Sequence, residues 1–107
     1  MKRLSIIFPL LVMIATTTSL ARAQDMVSHG QALVAEFCGR CHAVGTKGKS
    51  RHPDAPPFRI LGRKIDLDEF PRALERGLSS GHPDMPEFKF SHEDGRAVRA
   101  YLRAIQQ

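Results

Sequence analysis

The chemistry of this chain is concentrated in five consecutive residues, Cys38-Gly39-Arg40-Cys41-His42. They include both cysteines of the sequence, and an imidazole follows the second cysteine directly. A C-x-x-C pair reads in three ways: a thiol–disulfide redox couple, half of a zinc site, or a haem attachment point when histidine comes next. A thioredoxin-type couple opens a helix after a strand, whereas this pair closes a helix-patterned segment with no strand before it. A structural zinc site needs four ligands, so the remainder would have to come from histidines such as His42, His52, His82 or His92. His42 adjoins Cys41, which is poor geometry for that purpose, and no paired H-x-x-x-H follows. Haem attachment uses every residue of the motif. The two thiols form thioethers with the porphyrin vinyl groups, and the next side chain brings an imidazole to the iron.

The elements that must position this motif read as helices. Ser28 with Gln31 forms a capping-box signature, and Gly30, Leu33, Val34 and Phe37 follow at i, i+3, i+4 and i+7, predicting a first helix over about 28–40. Ala43 to Lys64 is rich in Gly, Pro and Lys without sustained periodicity, so it is a loop with room for a short helical turn. A second helix is expected over about 67–76, capped by Asp66 or Asp68, with Pro71 near its first turn, a stripe of Phe70, Ala73 and Leu74, and Gly77 as its end. Ser91 with Asp94 offers another cap, and Val98, Tyr101, Leu102 and Ile105 repeat the helical spacing. There is no convincing strand and no internal repeat. The expectation is an all-α domain of about three main helices joined by long loops.

The N-terminus reads as a processing signal. Lys2 and Arg3 precede an apolar run from Leu4 to Ala15, and the polar stretch Thr16 to Ser19 leads into Ala21-Arg22-Ala23. This is the pattern of a secretory signal peptide cut after Ala23, dividing the chain into a leader, 1–23, and a domain, 24–107. Extending the apolar run to Ala21 gives roughly 18 residues, near the lower limit for a membrane span. Pro9, the polar residues and the small-residue cleavage site argue against an uncleaved anchor, and no cysteine lies at the cleavage point to carry a lipid. The expected location is the periplasm, with no stable membrane insertion after cleavage.

The formal charge of +5 belongs to the whole chain of 107 residues. Lys2, Arg3 and Arg22 would leave with the leader, and two haem propionates would bring the rest close to neutrality. The high isoelectric point is therefore weak support for a nucleic-acid partner, and none is expected. Lys47, Lys49 and Arg51 form a local basic group that reads as a solvated loop, with docking to an acidic partner as the lesser reading. A domain this small has a marginal core and commonly adds a staple or cofactor.

Along essentially all of 24–107 the chain resembles the class I cytochrome c family. There the first and last helices cross, with a glycine on one admitting an aromatic on the other; Gly30 and Tyr101 match, with Val34 and Val98 beside them. The resemblance also implies that Pro56, in Ala55-Pro56-Pro57-Phe58, offers its carbonyl to Nδ1–H of the ligating histidine, a bond that fixes the tautomer leaving Nε2 for iron. The family takes its sixth ligand from a methionine in a late loop. Met85, in His82-Pro83-Asp84-Met85-Pro86, matches that position, whereas Met26 stands where a rigid helix would carry it away. His82 is the alternative ligand; His29, His52 and His92 read as surface side chains. The family often places a Trp near a propionate, and this chain has none. That role falls to Arg59, Arg63, Lys64, Tyr101 or solvent.

The resemblance thus implies a small cytochrome c fold wrapped around one covalent haem c, with the thioethers at Cys38 and Cys41 and iron ligated by His42 and Met85. The expected function is one-electron transfer between redox partner proteins, by a monomer or an enzyme-associated subunit. No catalysis is expected, because Asp66, Asp68 and Glu69 look like a helix start and not an acid/base pair. The alternatives are a haem subunit of a larger dehydrogenase and a ligand-binding or sensor module with a labile sixth position. The intact mass of the exported protein is expected to correspond to cleavage before Gln24 plus one haem. A bare polypeptide, or one holding zinc, would refute the haem reading.

Overall fold

The computed structural model describes residues 7–107, with side chains from residue 17 onward. Residues 1–6, with the basic start of the expected leader, lie outside the described residues, as do all the side chains of its apolar run.

Among the described residues the regular structure is three α-helices and one 3₁₀ helix: α1 (Ile7–Phe37), the 3₁₀ helix Phe58–Arg63, α2 (Phe70–Arg76) and α3 (His92–Ile105). Among the described residues there is no strand, only an isolated antiparallel bridge between Leu78 and Phe88. No helix of the described residues is long and apolar enough to cross a membrane.

The start of α1 corrects the sequence reading. Ser28 does not cap a helix; it lies within a continuous one that runs through the expected cleavage point. A capping box marks where a helix is able to begin, but between Leu10 and Gln31 the only glycine is Gly30 and there is no further proline, so nothing upstream stops propagation. The segment 17–25 is exposed, and burial begins with Met26 and Val27.

The other elements lie close to expectation. Ser91 caps α3, its hydroxyl accepting from the Asp94 N–H at 3.1 Å. The stripe Val98, Tyr101, Leu102 and Ile105 is buried throughout. α2 is shorter than expected. Asp66 caps the turn before it, accepting from the Asp68 N–H at 2.7 Å, and Pro71 lies in the first turn. Gly77, at φ 103°, ends α2 in a conformation that a side chain would strain.

Packing follows from these stripes. Val34 of α1 and Leu102 of α3 are the most completely buried large side chains, joined by Phe58, Leu61, Leu74 and Val98. Where α1 crosses α3, a Cβ on Gly30 would overlap the Ala97 carbonyl oxygen and come within 2.9 Å of Tyr101 Cβ. The neighbour is backbone, so no rotamer change relieves the overlap. Asp68 joins the approach to α2 to α3 through Arg99 Nε at 2.9 Å and Arg103 at 2.6 Å. Hydrogen bonds from Arg103 and Arg99 hold its carboxyl below the usual range.

Gly30→Ala, the smallest possible addition, is expected to destabilise the haem-bound protein by about 1–3 kcal/mol. A thermal melt reads this as a fall of several degrees in Tm. An unchanged Tm would mean that the helices do not meet at Gly30.

Candidate functional site

The end of α1 places the cysteine motif. The Cys38 and Gly39 N–H groups both donate to the Val34 carbonyl at 2.9 and 3.0 Å, closing the helix. The chain then doubles back, and the Cys41 and His42 N–H groups donate to the Cys38 carbonyl at 3.2 and 3.0 Å. Cys38, Cys41 and His42 are thereby gathered on one tight turn at the C-terminal end of a helix whose other face is anchored in the core. The two thiols are not joined in a disulfide. Burial pushes the Cys38 thiol up to about 11, so in this setting it is a protonated, largely apolar group at the cavity wall.

His42 Nδ1 lies 2.8 Å from the Pro56 carbonyl oxygen. A carbonyl only accepts, so Nδ1 carries the proton and Nε2 keeps its lone pair. The ring packs against the buried Phe58, with centroids 4.8 Å apart. The loop that brings Pro56 here is stitched back onto the motif: Phe58 N–H donates to Ala43 O at 2.9 Å, Ala43 N–H to Ser50 Oγ at 2.9 Å, and His52 N–H to Cys41 O at 3.1 Å. From α3, the Tyr101 hydroxyl donates to Val44 O at 2.6 Å, and Gln106 Nε2 donates to Phe58 O at 2.8 Å.

Both cysteines and His42 open onto a largely apolar cavity of about 630 Å³, and Met85 lines it as well. Its walls include Val34, Leu61, Phe70, Leu74 and Val98. Phe37 at the end of α1 also borders it, in edge contact with Phe88 and Phe90 at 6.4 and 5.2 Å. Protein interiors are close-packed, with few voids larger than a water molecule. Cofactor pockets run to about 300–1,000 Å³ and are mostly apolar with a few placed polar groups. A space of this size and lining, edged by two thiols, an imidazole of fixed tautomer and a thioether, fits a flat apolar macrocycle with a metal at its centre.

The family model described as "Cytochrome C oxidase, cbb3-type, subunit III" matches residues 25–102. The chain belongs to this family. It is a class I-like c-type cytochrome with a small cytochrome c fold, and membership implies covalently bound haem c and haem-based electron transfer. No curated protein and no solved structure matches it.

The cytochrome differs from its sequence reading at the rim of the cavity. Arg59, Arg63, Lys64 and Tyr101, the candidates for a propionate, do not line it. Arg59 donates to Gly48 O and Arg63 to Gln107 O, while Arg40 and Arg76 are the arginines that border the cavity. His52 is not a plain surface histidine: it is half-buried, lines the cavity and meets Asp84 at 3.0 Å. His82 also lines the cavity, with its Nε2 turned to Asp54 at 3.2 Å. His29 and His92 stay on the surface, paired with Asp94 and Glu75. A signal for the inward pair was present, because the tripeptide His-Pro-Asp occurs twice, at 52–54 and 82–84.

Phe58 both fills the core and supports the His42 ring. Phe58→Ala is expected to destabilise the haem-bound cytochrome by about 3–5 kcal/mol, measured by denaturant unfolding followed at the haem absorption. A cost below about 1 kcal/mol would mean that Phe58 packs less tightly than this.

Proposed function

We propose that the chain is an exported electron carrier of the periplasm that binds a single haem, with thioethers at Cys38 and Cys41 and with His42 and Met85 as axial ligands. The observation that carries this reading is the convergence of both thiols, the His42 imidazole and the Met85 thioether on one cavity. When bound, haem c supplies a reversible one-electron couple whose potential depends on axial ligands and burial.

The chain's own residues do the rest. Pro56 O accepts from His42 Nδ1 and so holds the ring with Nε2 available. The apolar walls exclude water and lower the local dielectric, which favours the less charged, reduced state. A thioether is a soft, neutral donor, and Met85 in that role raises the potential further. The half-buried Met85 lines the cavity, whereas Met26 does not.

The acidic residues that follow the 3₁₀ helix are consistent with the electron-carrier reading. Asp66 accepts from the Asp68 backbone, Asp68 is held by two arginines and Glu69 pairs with Arg72, so these three carboxylates take structural roles at the start of α2. The export pattern 1–23 supports a periplasmic location, with redox proteins as partners. The description of the family as an oxidase subunit favours a second reading, in which the same cytochrome is a fixed subunit of a larger redox enzyme. Co-purification with that enzyme from the native source would distinguish it from a free shuttle.

Met85→Ala is expected to leave the haem attached, lower the potential and let the reduced protein bind carbon monoxide readily. The oxidised wild type is expected to show the weak sulfur-to-iron charge-transfer band in the far red, and the variant to lose it. If the wild type lacks the band, or the variant keeps its potential and its resistance to carbon monoxide, Met85 is not the ligand.

A further inference from the structure

The His-Pro-Asp tripeptides at 52–54 and 82–84 face one another across the mouth of the cavity. His52 Nε2 meets Asp84 Oδ2 at 3.0 Å, His82 Nε2 meets Asp54 Oδ2 at 3.2 Å, and the two rings pack edge to face with centroids 5.4 Å apart. Each histidine is also locked from its own side. The Asp54 N–H donates to His52 Nδ1, and the Asp84 N–H donates to His82 Nδ1, both at 3.2 Å. Since Nδ1 accepts in both rings, the proton of each neutral ring sits on Nε2 and is donated to the carboxylate opposite. The arrangement is reciprocal: each tripeptide supplies one donor and one acceptor to the other.

The circuit runs between the cysteine motif and Met85. His52 N–H is bonded to the Cys41 carbonyl at 3.1 Å, and the Met85 N–H to the His82 carbonyl at 3.1 Å. Asp84 adjoins Met85 in the chain. The loop 79–87 is clipped at its base by the Leu78–Phe88 bridge. Beyond that base, the two His–Asp pairs are the hydrogen bonds that join this loop to the rest of the described residues.

We infer that the paired His-Pro-Asp turns act as a latch, with His52, Asp54, His82 and Asp84 as positioning residues that hold Met85 at the cavity. The inference rests on the assignment of Met85 as the distal ligand. Exposed ion pairs contribute little to global stability, and both aspartates are largely exposed. The effect of the latch is local: it sets how often the 79–87 loop lifts and withdraws the thioether, while the core formed by α1 and α3 stays folded.

The test uses the oxidised, haem-bound protein with cyanide as the probe, because cyanide binds only after the native distal ligand departs. His52→Ala and Asp84→Ala are each expected to speed cyanide binding by about two- to five-fold, and His52→Ala/His82→Ala by about ten-fold. The double variant His52→Ala/Asp84→Ala is expected to be no faster than either single variant, since the two residues act as one pair. Asp68→Ala, which releases Arg99 and Arg103 and removes no hydrogen bond of the loop, is the control; it is expected to leave the cyanide rate alone. Unchanged rates in the latch variants, additive effects within the pair, or equal acceleration by Asp68→Ala would overturn the latch. Met85→Ala separates the two claims. If it abolishes the far-red band and opens the site to cyanide while the latch variants behave as wild type, the latch alone fails. If Met85→Ala changes neither, the ligand assignment fails and the latch with it.

Discussion

Where α1 crosses α3, the backbone of Gly30 lies so close to the Ala97 carbonyl that a side chain of any size would force the helices apart. That approach fixes the relative position of two elements that each deliver part of the site. α1 ends in the turn that carries Cys38, Cys41 and His42. α3 holds the following loop through Tyr101 and the 3₁₀ helix through Gln106. Separating the helices would move the thiols relative to Pro56 and Phe58, the two residues that set the orientation of the His42 ring.

Much of the site is nevertheless built by loops, and loops need partners of their own. The segment 43–58 is tied to the motif by the His52 N–H on the Cys41 carbonyl, and closed on itself by Phe58 and Ser50, both bonded to Ala43. The segment 79–87 is held at its base by the Leu78–Phe88 bridge and at its tip by histidine–aspartate pairs. Such exposed polar contacts are individually weak. They matter because they act on segments whose alternative is local opening, at a far smaller free-energy difference than unfolding the core. Covalently bound haem c would stay with the chain if the loop lifted, so a distal ligand carried by that loop would be able to exchange without loss of the cofactor.

The helices and the cysteine motif were legible in the sequence because they rest on local signals. Cys38, Cys41 and His42 lie within five residues, Ser91 and Asp94 form a cap within one turn, and Val98, Tyr101, Leu102 and Ile105 follow a single periodicity. The start of α1 was misread at Ser28 because a cap is a local permission to begin, and it is overridden when the preceding residues are themselves helical. Arg59 and Arg63 drew attention as cations near the motif in sequence, yet both bind backbone carbonyls away from the cavity. His52 was read as a surface side chain because a single histidine in a polar loop carries no sign of its partner. The recurrence of His-Pro-Asp was the available clue.

By itself, then, the sequence determined the all-α class, the helical stripes and the motif that assigns the chain to c-type cytochromes, since each depends on residues within a few positions of one another. The family resemblance named Pro56 and Met85, while tertiary structure joined the Pro56 carbonyl to His42 and decided which arginines border the cavity and which aspartate each histidine faces. Those pairings join residues from 14 to 32 positions apart, and chain closure over such separations is governed by how the helices pack rather than by local preference. The cavity itself belongs to this second class. It exists because the helices and the two loops stop short of one another, and no single segment encodes a space.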